Sequence, residues 1–346
     1  MDSFLYSPAL QAHTVLALAG LTSAYVAVMR PTLSHRKGEA HTSPPATLYE
    51  AGTSPVLSSA SLAVFRTVLA IYIVGMGLMQ LSDMGPYVLK FYTIWNWWLL
   101  GLYFALAAVA SCLCTRKEAA EAAAPAEPAS ARTEGSGVKA AHAKVAQPLS
   151  EGTRQLTEKI QGCEGQQSPS PPSPSAAHLG TTPLARVCHA LFMINSSTVI
   201  IVDVVCWAVL YPMLAMGEQT PEVQMIIRRL LLSFTSYNQH GLNALYIFVE
   251  MFLNRHRLAF HAVGPLGLWS LIYALWAHAW HAKTGKWLYP FLNTSKRWAP
   301  GAYLGLYVVH WMAFGVVAVL YQIKVAWYGK WFKSPACEPS GKAKRQ

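Results

Sequence analysis

The chain has 346 residues, of which 53% are hydrophobic and only 12% are charged. Soluble domains normally have about a quarter of their residues charged, so this composition indicates an integral membrane protein. The formal net charge of +11 does not indicate a nucleic-acid-binding protein, because the Lys and Arg residues lie beside the apolar segments instead of on one soluble face. Anionic lipid headgroups explain the same charges, so we expect membrane lipid as a partner and no nucleic acid.

Seven apolar segments each have the length needed to cross a hydrocarbon layer of about 30 Å at about 1.5 Å per residue. The first segment and the basic loop after it make up residues 1–60, and residues 61–114 contain spans two and three. Residues 184–331 contain spans four to seven, and the fifth of the seven spans is predicted at about 231–253. The sequence therefore predicts an all-α fold, a polytopic transmembrane helix bundle of about seven spans.

The segment 115–183 separates spans three and four and is rich in Ala, Pro, Ser, Glu and Gly. It has few large apolar side chains to bury in a core, which predicts a long disordered loop. The chain ends in a basic tail, 332–346, in which Lys342 and Lys344 stand fifth and third from the end. This spacing resembles the dilysine retrieval signal of endoplasmic reticulum membrane proteins, although a generic basic tail facing anionic lipid has the same charges.

Loop charges predict the orientation of the chain in the membrane. Asp2 precedes the first apolar segment, whereas Arg30, Arg36 and Lys37 follow it. Because positively charged loops stay on the cytosolic side, we expect the N-terminus outside or in the lumen and the C-terminus in the cytosol. The expected location is the endoplasmic reticulum or the plasma membrane, and the oligomeric state is left open.

The predicted fifth span has one polar face. Ser236, His240, Asn243, Ile247 and Glu250 follow one another at steps of four, three, four and three residues, so they share a side of a helix. Ionisable groups that face lipid cost several kcal/mol, so this side is expected to face the bundle interior. An ionisable residue inside the membrane is by default a functional candidate, which here favours His240.

Glu250 stands near Arg255 and Arg257, close to the inner end of the same predicted helix. We therefore expect it to form a structural ion pair with these arginines. The alternative for the whole polar face is helix packing, since an interhelical hydrogen bond in a membrane contributes about 0.6 to 2 kcal/mol.

Two further polar positions open the third span. Thr93 and Asn96 lie one turn apart on one helical face, among tryptophans that are typical of a membrane–water interface. Three histidines mark later spans: His278 and His281 lie one turn apart, and His310 follows in the last span. Two facing histidines are enough to ligate a haem, but the histidine spacing of the membrane di-iron enzymes is not present, so no cofactor or metal is expected.

Four short motifs carry a resemblance to a known family. "HGLNALYIFVEMFLNR", "TGKWLYPFLN", "YTIWNWWLL" and "VDVVCWAVLYP" together resemble the membrane family of androgen-induced and androgen-dependent regulatory proteins, which includes the rolling stone proteins. The resemblance covers about residues 65–321 with the linker removed. It implies a six-helix family core, to which this chain adds an N-terminal span.

The resemblance also implies an activity. Characterised members of the family are similar to intramembrane threonine hydrolases that cleave fatty acid esters of hydroxy fatty acids. Matched by motif, the nucleophile falls on Thr93 and its histidine base on His240. An imidazole is a suitable base for a threonine hydroxyl near neutral pH.

Four other residues are candidates for supporting roles beside this pair. Asp203 or Asn243 is expected to orient His240, and Asn96 or His278 is expected to supply an oxyanion donor. The predicted partner is a lipid ester substrate. The alternatives are a non-enzymatic adhesion, fusion or signalling scaffold of the rolling stone type, or a haem or metal membrane protein.

Overall fold

A computed structural model of the protein describes residues 7–36, 46–123 and 180–331. These residues form helices and connecting turns with no strand among them, which confirms the all-α prediction. Within the same residues, six helices are long and apolar enough to cross a membrane, consistent with an integral multi-pass membrane protein. The predicted tail lies outside the described residues, and so does most of the predicted disordered loop.

The α-helices are numbered along the chain. They are α1 (Pro8–Arg36), α2 (Leu48–Gly52), α3 (Ser59–Met84), α4 (Tyr92–Ala123), α5 (Pro183–Val204), α6 (Tyr211–Ala215), α7 (Pro221–Ile226), α8 (Phe234–Tyr237), α9 (Asn243–Leu253), α10 (Val263–Thr284) and α11 (Ala299–Trp331). Residues 115–123, which were predicted to be disordered, continue α4. The helices up to Thr115 and from Gly180 onward belong to one compact unit, and residues 116–123 belong to a second.

The predicted fifth span is not one continuous α-helix. The helical segment before it, α7 with a π-helical turn, ends at Leu231, and Ser233 then caps α8 by accepting a hydrogen bond from the Ser236 amide. Another π-helical turn, Asn238–Leu242, joins α8 to α9. Polar residues in this turn lower the hydropathy of the segment, and it is not among the six apolar helices found in the described residues. The predicted count of seven spans is therefore not confirmed.

The N-terminal helix α1 is an integral part of the bundle, and it packs against α10 and α11. Gly264 on α10 lies so close to α1 that a Cβ atom there would be 2.5 Å from the Ala27 amide nitrogen. A side chain on Gly267 would likewise meet the Ser23 hydroxyl. Small residues at a helix crossing allow the close backbone approach on which membrane helix association depends.

A buried ion pair joins α3 and α9 at one end of the bundle. Arg66 and Glu250 are both fully buried, and their closest side-chain atoms are 2.5 Å apart. The guanidinium also donates to the Ala51 carbonyl and to the Ser111 hydroxyl at 2.7 Å each, while the Tyr103 hydroxyl donates to Glu250 at 2.8 Å. We call these five residues the Arg66–Glu250 network. Every charge in it has a partner.

The predicted partners of Glu250 were wrong, although the inward-facing position and the ion pair were right. Arg257 pairs instead with Glu50, and Arg255 donates to the Ser54 carbonyl at 3.1 Å. The reason is geometric: Glu250 faces the bundle, where α3 supplies Arg66, whereas the two arginines lie beyond the end of α9 at Leu253.

Candidate functional site

A cavity of about 780 Å³ lies at the opposite end of the bundle from the Arg66–Glu250 network. Arg66 is near the start of α3, whereas Gln80, which lines the cavity, is near its end. The volume falls within the range of about 300 to 1,000 Å³ that is usual for small-molecule sites. The lining is mainly apolar. It also contains hydroxyl and imidazole groups, from Tyr92, Thr93, His240, Ser270, Tyr289 and His310.

The structure brings the two predicted catalytic residues to one cavity. Thr93 lies in the first turn of α4, and His240 lies in the π-helical turn before α9. The Thr93 hydroxyl lies near the Tyr289 phenol. The His240 ring lies near the backbone of Val202, and its buried Nδ1 has no hydrogen-bond partner among the described residues. No hydrogen bond joins Thr93 to His240 within this part of the chain.

The backbone holds His240 at an irregular position. Its φ and ψ angles are −131° and 32°, which are not helical, and they mark a kink at the π-helical turn. The His240 carbonyl accepts a hydrogen bond from the Trp207 indole, and the two rings meet edge to face. Trp207 itself lies in a π-helical turn, Val205–Leu210. Such turns are rare in proteins, but those that occur are often found at functional sites. They release backbone groups from the regular hydrogen bonds of the helix.

Asp203 and Asn243 do not take the predicted orienting role. The Asn243 amide donates to the Asp203 carboxylate at 3.0 Å, so the two residues bind each other across α5 and α9. Neither of them lines the cavity. His240 instead contacts Trp207, which meets its ring edge to face and donates to its carbonyl.

Asn96 and His278, the predicted oxyanion donors, also lie outside the cavity lining. Asn96 donates to the Tyr92 carbonyl at 2.8 Å and accepts from the Trp269 indole at 3.0 Å. His278 contacts the Ala274 carbonyl at 2.8 Å through Nδ1, and its Nε2 lies 3.1 Å from the Tyr303 hydroxyl. Their hydrogen-bonding groups are therefore engaged in helix packing.

Sequence reasoning missed the most direct hydroxyl–imidazole contact in the cavity. Ser270 on α10 and His310 on α11 both line it, and Ser270 Oγ lies 2.6 Å from His310 Nε2. The Tyr92 hydroxyl lies 2.7 Å from the same serine oxygen. His310 was noticed only as a possible haem ligand, and Ser270 stands in an apolar stretch without a motif. Only the packing of α10 against α11 reveals the pair.

Tyr289 ties the loop between α10 and α11 to the start of α4. Its oxygen accepts a hydrogen bond from the Tyr92 amide at 3.1 Å, and its ring stacks on Phe291. Burial raises the pKa of Tyr289 to about 12, so the phenol stays protonated at neutral pH. The motif "TGKWLYPFLN" thus supplies a wall of the cavity, with residues 286–292 all in the lining.

Two lysines add positive charge to the cavity lining. Lys90 Nζ lies 3.2 Å from the centre of the Tyr87 ring, in a cation–π contact, and Lys286 is exposed. A positively charged lining of this kind favours ligands that carry a carboxylate or a phosphate.

In the described ranges, no group of three or more His, Cys, Asp or Glu residues is arranged to hold a metal ion. Both ring nitrogens of His278 and of His310 are in hydrogen-bonding contact with protein groups. Comparisons of the chain with protein-family models, with curated proteins and with solved structures find no match.

Proposed function

We propose that this protein is an intramembrane hydrolase of lipid esters. One observation carries the proposal: a largely apolar cavity of about 780 Å³ is lined by hydroxyl and imidazole groups together. Apolar walls bind acyl chains through the hydrophobic effect. A hydroxyl next to an imidazole base supports nucleophilic acyl transfer.

The proposed substrate class is a fatty acid ester of a hydroxy fatty acid, or a similar lipid ester. Such a molecule has two acyl chains for the apolar walls and a free carboxylate for the cationic part of the lining, where Lys90 and Lys286 lie. It would enter sideways from the lipid. In the proposed topology the N-terminus faces the outside or the lumen, the C-terminus is cytosolic, and the segment 234–253 counts as a seventh span.

The resemblance assigns Thr93 as the nucleophile and His240 as the base within this function. Both residues line the cavity, and His240 Nδ1 is free to accept a proton. Thr93 would have to form a hydrogen bond to this nitrogen when a substrate binds.

Turnover by the purified full-length protein in detergent tests the function. We expect release of free fatty acid from an ester of palmitic acid and hydroxystearic acid. We also expect Lys286→Gln to raise the KM for the free acid but not for its methyl ester, with the exposed Lys283→Gln as the matched control. Fatty acid release no faster than in buffer alone, for a protein that is monodisperse, would contradict the proposal.

The non-enzymatic scaffold remains the second candidate, and one observation favours it: His240 Nδ1 has no hydrogen-bond partner in the described part of the chain, so Thr93 does not donate to it. This alternative predicts that variants of the cavity fold, traffic and function like the wild type.

A further inference from the structure

A chain of hydrogen-bonded groups runs along one wall of the cavity, from α4 through α10 to α11. The Tyr92 hydroxyl and Ser270 Oγ are 2.7 Å apart, and Ser270 Oγ and His310 Nε2 are 2.6 Å apart. His310 Nδ1 lies 2.6 Å from the carbonyl oxygen of Leu306, one turn earlier on the same helix. The oxygen–oxygen distance is within the normal range for hydrogen bonds, and the two nitrogen–oxygen distances are slightly shorter than usual.

The Leu306 carbonyl fixes the direction of every proton in this chain. A carbonyl oxygen can only accept, so Nδ1 of His310 carries the hydrogen. In a neutral ring the other nitrogen, Nε2, then presents a lone pair. Ser270 must donate its hydroxyl hydrogen to Nε2, and the Tyr92 hydroxyl must donate to the serine oxygen. This is the arrangement in which an imidazole activates a serine.

Access to the cavity distinguishes these hydrogen bonds from those that only pack helices together. The bond from Trp269 to Asn96 also joins α10 to α4, but neither of its residues lines the cavity. Tyr92, Ser270 and His310 all line the cavity, and all three are only partly buried. A bound ester can therefore reach the serine oxygen without the helices separating.

We propose that Ser270 is the nucleophile of this cavity and that His310 is its general base. The inference rests on the proposed function, which it keeps, and it moves the nucleophile from Thr93 to Ser270. Ser270 Oγ attacks the ester carbonyl carbon while its proton passes to His310 Nε2. The intermediate then collapses: the bond to the alkoxy oxygen breaks, and that oxygen takes the proton from His310 and leaves as the alcohol.

Water completes the reaction. It attacks the acyl-serine carbonyl and gives a proton to His310 Nε2, and the bond between the carbonyl carbon and Ser270 Oγ breaks. His310 returns the proton to the serine oxygen as the fatty acid leaves. No oxidant, reductant or metal enters the balance. Tyr92 is a positioning residue, since its hydroxyl holds the serine oxygen in place between the two partners.

A fluorophosphonate probe, which forms a covalent bond with activated hydroxyl nucleophiles, tests the assignment on the full-length protein in detergent. We expect mass spectrometry to find the label on Ser270 in the wild type. Ser270→Ala should abolish labelling and His310→Asn should slow it by about 100-fold or more, as expected for loss of a general base. Thr93→Ala should keep the label. Ser196→Ala is the control, because this buried serine bonds its own helix at the Phe192 carbonyl.

Tyr92→Phe separates positioning from packing. We expect it to lower kcat by about fivefold to tenfold with KM unchanged, and to lower the thermal midpoint slightly, because one hydrogen bond of about 1 to 1.5 kcal/mol is lost. A structural role alone would lower the thermal midpoint and leave kcat unchanged.

Each outcome of the labelling test decides something. Labelling that persists in Ser270→Ala and is lost in Thr93→Ala would overturn the inference while leaving the hydrolase proposal intact. Full ester turnover by Ser270→Ala would do the same. If Ser270→Ala is poorly folded, labelling of Ser270→Cys with iodoacetamide, accelerated by His310 and slow after His310→Asn, serves in its place. A wild type that neither turns over an ester nor takes the label would remove both proposals together.

Discussion

Polar side chains have different surroundings at the two ends of the bundle. In the Arg66–Glu250 network, both charged side chains are fully buried and each finds its partners within the protein. At the cavity end, Ser270 and His310 are also hydrogen-bonded, yet they face an open volume. Polarity inside the membrane therefore does not by itself identify a functional site. The decisive property is whether another molecule has room to reach the group.

The largest effect on stability should come from breaking the Arg66–Glu250 network. Arg66→Met leaves the Glu250 carboxylate buried without its cation, which typically costs about 3 to 5 kcal/mol. We expect a large fall in the thermal midpoint and in the yield of monodisperse protein, measured by size-exclusion chromatography. The double variant Arg66→Met with Glu250→Leu should recover part of the loss. A single variant as stable as the wild type would show that the network does not hold the fold.

Substitutions at the cavity end should lower ester turnover and leave the stability of the fold nearly unchanged. Ser270→Ala is expected to lower ester turnover by at least about 100-fold, while its thermal midpoint stays close to that of the wild type. Thr93→Ala provides the matched comparison, because Thr93 lines the same cavity from α4. Equal losses of turnover in both variants, measured at saturating substrate, would refute a unique role for Ser270.

The crossing of α1 and α10 connects helix packing with the cavity. Gly264→Val would push side-chain atoms into the backbone of α1 at Ala27, and overpacking of this kind costs about 1 to 3 kcal/mol. Because α10 also carries Ser270, we expect a lower thermal midpoint together with a partial loss of turnover. Gly305→Val is the control, since a Cβ atom at Gly305 meets no atom within 4 Å among the described residues, apart from its chain neighbours and its own helix backbone. Equal midpoints for the two variants would count against a tight crossing.

The smallest effect should be a loss of stability at low pH, caused by a histidine near the Arg66–Glu250 network. His256 is buried in the loop after α9, stacked on Phe192 and close to Arg66 and Lys324. Burial, reinforced by these cations and by His189, holds the pKa of His256 well below its usual 6.5. The unfolded chain therefore binds a proton near pH 6.5 that the folded protein does not. Stability should be full above pH 6.5 and should fall below it, by at most about 1.4 kcal/mol per pH unit for this group.

Thermal midpoints between pH 7.5 and 5.0 measure this dependence. His256→Phe keeps the stacking contact with Phe192 and removes the titrating group, so its midpoint should fall less steeply with acid than that of the wild type. Parallel curves for the two proteins would show that other groups cause the loss.

Hydropathy is a local property, so it predicted the helices better than it predicted their partners. The segment predicted as the second span forms α3, and the segment that begins with "YTIWNWWLL" forms α4. The polar face around His240 and Glu250 also turned inward as expected. Arg66 was missed because it is 184 residues from Glu250, and nothing near either residue indicates the other.

The catalytic candidates show the same limit. Thr93 and His240 came from motifs, and the structure places both at the cavity. Ser270 and His310 are 40 residues apart on different helices, with neither a shared motif nor a periodic pattern. Asn96 was attractive because it lies one turn from Thr93, yet its side chain is engaged with Tyr92 and Trp269. Spacing along one helix predicts which residues share a face. It does not predict which neighbouring helix that face meets.

The π-helical turn at Asn238–Leu242 sets the rotation of the preceding part of the chain relative to α9. An i→i+5 turn accommodates one residue more than an α-turn, so it changes the helical phase relative to an unbroken α-helix of the same sequence. If the same sequence formed a regular α-helix here, the part of the chain before the turn would rotate by about 100° relative to α9, at 3.6 residues per turn. Gln239 and His240 would swing away from the cavity while Glu250 kept its place beside Arg66. The extra residue thus acts as a spacer that lets one segment serve both ends of the bundle in different rotational phases.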